Sequence, residues 1–261
     1  KGQNAKLLAS FNHGFAEIKK DGTYDKIVAK YLGASAATFT GSKKDNSTVM
    51  GILNANRNAF LQGLWQTVIL TVFAIVLASI WGILLGVMGV SQLPWIRAIS
   101  TTIIYLFRGL PLMVLAFFIY IGLPGVIGTK IPAFTAGLLT LILNEGAYTA
   151  AFVRGGFEAV ERGQMEAARS LGLNYNSAMR KVIMPQGLRI MVPSFINQFI
   201  ITLKDTSILS AIGLLELTQT GTLIVARNSQ GFRVWAIAAV IYLIVITLLT
   251  WLSNWVEKKI K

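Results

Sequence analysis

The sequence predicts an all-α membrane protein with about five transmembrane helices. Three observations predict it. Apolar residues make up 54% of the 261 and charged residues only 13%, about half the charged share of a soluble domain. Five apolar runs recur, each near the roughly 20 residues a helix needs to cross a bilayer. Lysines and arginines gather in alternate connecting segments, the asymmetry that sets membrane topology.

The same composition excludes other classes. The chain has no cysteine, so it has no disulfide framework, thiol nucleophile or Cys-based metal site. His13 is the only histidine, which removes most zinc and general-base chemistry, and no metal site is expected. The formal charge of +13 is spread among apolar runs. Lipid headgroups, not nucleic acid, are its expected partner.

Residues 1–33 alternate charged and apolar positions at helical spacing. Leu7, Leu8, Phe11, Phe15 and Ile18 form one stripe. Asp21-Gly22 marks a turn, after which Tyr24, Ile27, Val28 and Tyr31 begin a second stripe. Two short helices bury too little to stand alone, so a hairpin packed on an absent partner is expected, with His13 on its surface. The chain opens at Lys1 and is expected to be part of a longer polypeptide. Residues 34–50 are small, polar and aperiodic, which predicts a linker. Residues 51–63 set Ile52, Leu53, Phe60 and Leu61 among asparagines and Arg57, which predicts a helix lying at the interface.

The membrane part spans 51–261, with crossings at about 64–90, 98–123, 131–153, 187–212 and 233–256. Gly82, Gly86 and Gly89 give the first crossing a small-residue face for close helix contact. Pro111, Pro124 and Pro193 predict kinks whose free backbone groups are met by neighbours. With the N-terminus outside, the inner segments hold Arg97, the group Arg154, Arg162, Arg169, Arg180, Lys181 and Arg189, and the tail lysines. The outer loops hold Lys130, Arg227 and Arg233, with Lys43, Lys44 and Arg57 before the first crossing. The balance predicts an extracellular N-terminus and a cytoplasmic C-terminus.

On that topology the polar loop 154–186 is cytoplasmic. Met165 to Leu171 is a run of good helix formers, and Gly172 is placed as a left-handed cap. A second helix is expected from Ser177 to Ile183, which Pro185 should not extend far. Met165, Ala168 and Leu171 share one face of the first helix, small and smooth enough to enter a partner's groove. An ordinary basic loop would show the same charge.

Motif spacing separates these readings. Glu166-Ala167-Ala168, Gly172, Val182, Met184 and Pro185 resemble the signature loop of membrane subunits of ATP-binding-cassette (ABC) importers. FRGLPLMVLAFFIYIGLP at 107–124, NEGAYTAAFVRGGFEAVERGQ at 144–164 and NQFIITLKDTSILSAIGLLELT at 197–218 resemble the polar-amino-acid permeases of the glutamine, glutamate and histidine type. The likeness covers about 55–256 of the 261 residues. The head, LLASFNHGFAEIKKDGTYDKIVAKYLG, is similar to the end of an extracellular amino-acid-binding protein, which some Gram-positive importers fuse ahead of the permease.

The resemblance implies the type I ABC importer permease fold in the cell membrane of a Gram-positive bacterium. It implies a coupling helix whose Gln164, Glu166, Ala167, Ala168, Leu171 and Gly172 dock on a cytoplasmic ATPase. It implies two permease halves, a homodimer or a pair with a sister permease, with two ATPases and fused substrate-binding domains. No G-x-x-x-x-G-K-[ST] stretch occurs in the chain, so ATP and Mg²⁺ belong to the separate ATPase and the chain is not itself an enzyme.

Four charges fall in or near the crossings: Arg108, Glu145, Lys204 and Asp205. A charge at the bilayer centre costs about 3 kcal/mol on insertion scales unless paired or wet. Two readings stand: a pathway for a zwitterionic amino acid, or structural ion pairs. By resemblance, Leu203 to Ser207 lines the path, with Asp205 and Thr206 as leading substrate contacts beside Lys204 and Ser207. Arg108 is read first as a structural or gating residue and second as a substrate contact, and Asn144 and Glu145 are expected at the cavity. Many similar permeases carry an acid where this chain has Ala151, which points to a neutral or acidic substrate such as glutamine, glutamate or asparagine. An ion-coupled secondary transporter or channel is the rival function. It would need no docking helix and would often show internal repeats.

Overall fold

The computed structural model describes residues 4–24, 26–27 and 48–260. They are helical, with no strand among them. The chain divides into two units, Lys1–Asp45 and Asn46–Lys261.

In the first unit, α1 spans Ala5–Lys20. Its predicted stripe leaves Leu7, Leu8 and Phe11 exposed. Phe15 meets Tyr24 edge to face, ring centroids 5.5 Å apart, under the ammonium of Lys19. The turn at Asp21-Gly22 forms as expected: the Asp21 carboxylate accepts from the Thr23 N–H at 2.8 Å, and Gly22 takes φ +77°. Hydrogen bonds from Thr23 hold the Asp21 carboxyl below the usual carboxylate range. Most of the expected linker, and Val28 and Tyr31, lie outside the described residues.

The second unit opens with α2, Val49–Ala55, capped by the Thr48 hydroxyl, which accepts from the Gly51 N–H at 2.9 Å. The expected interfacial helix at 51–63 is not continuous. The helix breaks at Asn56, whose amide donates back to the Ile52 carbonyl, and α3 begins at Arg57. Ile52 and Phe60 are buried against Leu217, Ile224, Val234 and Ile237, and Leu61 stays exposed.

Helix α3, Arg57–Gly89, is the first crossing. Its glycine face packs on α7, Ala133–Glu158. A Cβ added at Gly82 would stand 2.5 Å from Thr149 Cβ, and one at Gly86 2.5 Å from Val153 Cβ. Only a missing side chain permits that approach. Helix α4, Pro94–Gly109, is tied to α3 by the Ser100 hydroxyl, which donates to the Leu85 carbonyl at 2.6 Å.

The second crossing expected at 98–123 is broken at the predicted Pro111 kink, and the break is sharp. The chain turns by 99° between α4 and the segment Leu112–Ile127. Pro111 is the cause: it cannot continue a helix and holds Leu110 extended, at ψ 132°. Beyond it come α5, Leu112–Phe117, a π turn over Phe118–Gly122, and α6, Leu123–Ile127.

After α7 come α8, Arg162–Ser170, and α9, Tyr175–Ala178. A π turn over Met179–Ile183 leads into α10, Met184–Asp205. Pro185 therefore does not stop the helix. It stands in the first turn of α10, where no N–H is needed, and the π turn opens the backbone ahead of its ring. Pro193 sits inside α10. A 3₁₀ turn over Thr206–Ile212 precedes α11, Leu217–Asn228, bent 46° from the preceding helical run, and α12, Gly231–Ile260, closes the described chain.

Three helices are long and apolar enough to cross a membrane alone, and the two bent pairs bring the number to five. Helix α7 is the centre of this unit, with α3, α4 and α10 against it. One core joins Leu70, Ala74, Leu115, Leu141 and Leu209. The outer faces stay apolar, with Phe73, Ile80 and Leu84 on α3 and Leu243, Leu248 and Trp251 on α12 exposed. Lipid is the solvent that suits such faces.

Candidate functional site

Three polar places stand out on this frame. The first lies where α7 meets α10. Glu145 is 1% exposed, and one carboxylate oxygen accepts from the Gln198 amide on α10. Its other oxygen is buried without a hydrogen-bond partner. Asp205, half-buried at the end of α10, lies beside the same carboxyl. Thr202 sits there too, its hydroxyl donated to the Gln198 carbonyl at 2.9 Å. Two acids thus share one polar spot between two crossings.

The second place is a cleft of about 600 Å³ between α4 and α7. Tyr148, Ala151, Gly155 and Glu158 line it from α7, and Ile104 and Arg108 from α4. They come together because positions three and four apart share a helix face. The Arg108 guanidinium stacks over the Tyr148 ring, 4.9 Å from its centroid. Arg154 donates from Nε to Glu158 at 2.8 Å. Asn144, one turn before Tyr148, donates to the Phe107 carbonyl at 2.9 Å and pins α4 to α7 just before the bend.

The third is α8. Its end is closed as the sequence predicts: Gly172 takes φ +85°, Leu173 N–H reaches the Ala168 carbonyl, and Gly172 N–H the Arg169 carbonyl. That is a Schellman cap. Gln164, Glu166, Ala167 and Gly172 are exposed, and Leu171 is 84% exposed. Ala168 is 4% exposed, and Met165 turns toward Met179 and Ile183 around a cavity of about 410 Å³. The expected face of Met165, Ala168 and Leu171 is therefore divided: its first two members hold α8 to its own chain, and Leu171 faces out.

Residues 78–261 match the family described as the binding-protein-dependent transport system inner membrane component. The chain belongs to this family. It is a multi-pass membrane permease of the ABC type, and its α-helical frame is the type I importer permease fold. The permease is 31% identical over 212 residues to the probable glutamine ABC transporter permease protein GlnM of Bacillus subtilis, covering 81% of this chain and 98% of that one. It is 38% identical over 169 residues to the glutamine transport system permease protein GlnP of Escherichia coli K12, covering 64% and 77%. A solved structure described as an amino acid ABC transporter with histidines superposes with a TM-score of 0.77 at 34% identity, covering 82% of this chain and 99% of its own. The family implies ATPase and binding-protein partners.

The permease distributes its predicted site residues unevenly. Glu145 and Asp205 meet, but no ion pair within 4.0 Å joins Arg108, Glu145, Lys204 and Asp205 to one another among the described residues. The two acids share one spot, and Lys204 is exposed. Thr206 is fully buried and its hydroxyl is donated to the Leu203 carbonyl at 2.7 Å. Asn144 and Glu145 sit in helix contacts and not at an open cavity wall. Ser207 is half-buried.

Sequence reading missed Glu216. It is fully buried, caps α11 by accepting from the N–H groups of Thr218 and Gln219 at 2.8 and 2.7 Å, and accepts from the Tyr242 hydroxyl at 2.9 Å. Leu217 N–H next to it reaches Thr67 on α3 at 3.2 Å. The available signal was an acid directly before a helix-compatible run. It was hidden because Glu is a less common cap than Ser, Thr or Asp.

Proposed function

We propose that this permease is the membrane subunit of an ATP-driven importer of polar amino acids, with glutamine, glutamate or asparagine as substrate. Two copies of the chain form the transmembrane pair, each docked through α8 on a separate ATPase that binds ATP and Mg²⁺. The orientation is N-terminus out and C-terminus in, and residues 1–33 are the end of a fused extracellular binding domain. Asp205 takes the substrate ammonium, with Lys204, Ser207 and Arg108 near its other groups. Asn144, Glu145 and Thr206 complete the path from within the helix contacts.

The observation that carries this reading is α8 itself. A polar, capped helix between two crossings shows its Glu166, Ala167 and Leu171 outward, as a docking rod must. ATP-driven approach of two ATPases would shift the two rods together, and only a difference in fit between the two permease states can drive the switch. The glutamine permeases named above support the substrate class. The lack of an acid at Ala151 favours neutral or acidic amino acids over basic ones.

The test is reconstitution of the permease, binding domain and ATPase in vesicles. Uptake of labelled glutamine, glutamate or asparagine is expected only with ATP, and each is assayed for stimulation of ATP hydrolysis. Uptake that continues without the ATPase, driven by an ion gradient, would put a secondary transporter in its place.

A further inference from the structure

We infer that the cleft between α4 and α7 is a carboxylate-binding vestibule in which Arg108 and Arg154 hold the carboxylate of the transported amino acid. This deepens, and rests on, the importer reading above.

The charges in the cleft do not balance. Arg108 and Arg154 face it with Glu158 as the acid in its lining, so two positive charges meet one negative. Glu158 is already engaged with Arg154. Arg108 has no carboxylate within 4.0 Å among the described residues. An arginine near the end of an apolar helix is tolerated where it faces a wet cavity or finds an anion.

The geometry at Arg108 fits a bound anion. The Arg108 guanidinium carbon lies over the Tyr148 ring, 4.9 Å from its centroid, a cation–π contact that uses none of its N–H donors. Its N–H donors, which match a carboxylate in a two-point fork, make no hydrogen bond or ion pair among the described residues. The volume of about 600 Å³ falls within the range of about 300–1,000 Å³ seen for small-molecule sites. Ala151 lies in the wall and adds a methyl group where an acid would cancel the surplus charge. The Tyr148 end of the cleft lies about one turn along α7 from Glu145. Asn144 anchors α4 to α7 here, and Glu145, the next residue, points about 100° away around α7. Arg108, over Tyr148, thus stands about one helical turn along α7 from the buried Glu145.

A lipid phosphate would satisfy the same arginines, so the test separates the two anions. The complete transporter is placed in vesicles of phosphatidylcholine alone and in vesicles that also contain phosphatidylglycerol. Initial uptake is measured as KM and kcat for the amino acid that the wild type moves fastest. Ala151→Glu is expected to raise KM at least about fivefold in both lipids, with a smaller change in kcat. Ala151→Gln, equal in size but uncharged, raises it less. Arg108→Gln is expected to raise KM about tenfold, and Arg108→Lys, which keeps the charge without the fork, by less. Should Arg108→Gln fail to assemble, the Ala151 pair decides alone. An unmoved KM in Ala151→Glu, equal effects of Glu and Gln there, or an effect confined to vesicles with phosphatidylglycerol overturns the inference. Wild-type vesicles without ATP-dependent amino-acid uptake would instead sink the importer reading on which it rests.

Discussion

Helices α7 and α8 follow one another in the chain and live in opposite surroundings. In α7, Gly137, Asn144, Glu145, Gly146 and Ala150 are all buried, with α3, α4, α5 and α10 packed against it. In α8 only Ala168 is buried. Each helix carries a central glutamate. Glu145 is enclosed, with one donor from Gln198 and one oxygen unmet. Glu166 stands in the open. The contrast teaches that the same residue type answers to different physics. A change in α7 is felt first by the fold of the permease itself, and a change in α8 by whatever the permease touches.

The largest expected effect breaks the α7 side at its closest approach. Gly82→Leu on α3 would drive a Cβ to 2.5 Å from Thr149 Cβ and 2.6 Å from the Gly146 carbonyl oxygen. Neither neighbour is the free end of a flexible chain, so the helices must part. The loss is expected to be at least about 3 kcal/mol, the upper part of the usual overpacking range. The check is thermal unfolding in detergent, followed by tryptophan fluorescence. A variant that melts with the wild type would show that α3 and α7 are not in this contact.

The next effect sharpens the role of Glu145. Gln198→Leu removes its amide donor and leaves a buried carboxyl without that bond, at a cost of about 1–3 kcal/mol. Removing both partners, in Glu145→Leu with Gln198→Leu, is expected to recover part of that loss, because no polar group is then stranded between the two helices. Melting of the single and double variants measures the coupling directly. A double variant less stable than either single one would mean that Glu145 is held by groups other than Gln198.

The legibility of the sequence follows the same division. Helix existence was legible wherever lipid demands a long apolar run, and the glycine face of α3 was legible because close helix contact in a membrane selects small residues. The 99° turn at Leu110-Pro111 was not. Pro111 was visible, but a proline between apolar runs is compatible with a mild kink or a sharp break, and the neighbours decide. The extent of α10 was misjudged for a related reason: Pro185 reads as a stop unless the π turn before it is known. Charge pairing was the least legible feature. Residue counts showed two bases and two acids, but helix rotation decides which of them meet, and it brought the two acids together. The signature of α8, in contrast, was legible down to its left-handed Gly172, because a cap is a local matter of backbone geometry.

The smallest expected effect on stability tests the α8 side, and it is informative because it is small. Glu166→Lys alters an exposed residue that makes no ion pair within 4.0 Å among the described residues. The melting temperature should stay within the change that about 0.5 kcal/mol produces, as for other surface substitutions. If α8 docks as proposed, capture of the ATPase on the tagged permease should nevertheless fall strongly, since reversing a charge at such a surface sets like charges against each other or strands a partner's cation. The two readouts must separate. A variant that melts early would show that Glu166 supports the fold as Glu145 does, and the contrast between α7 and α8 would vanish. A variant that melts normally and still retains its ATPase would leave α8 an ordinary loop helix, with the transmission of force placed elsewhere on the inner face.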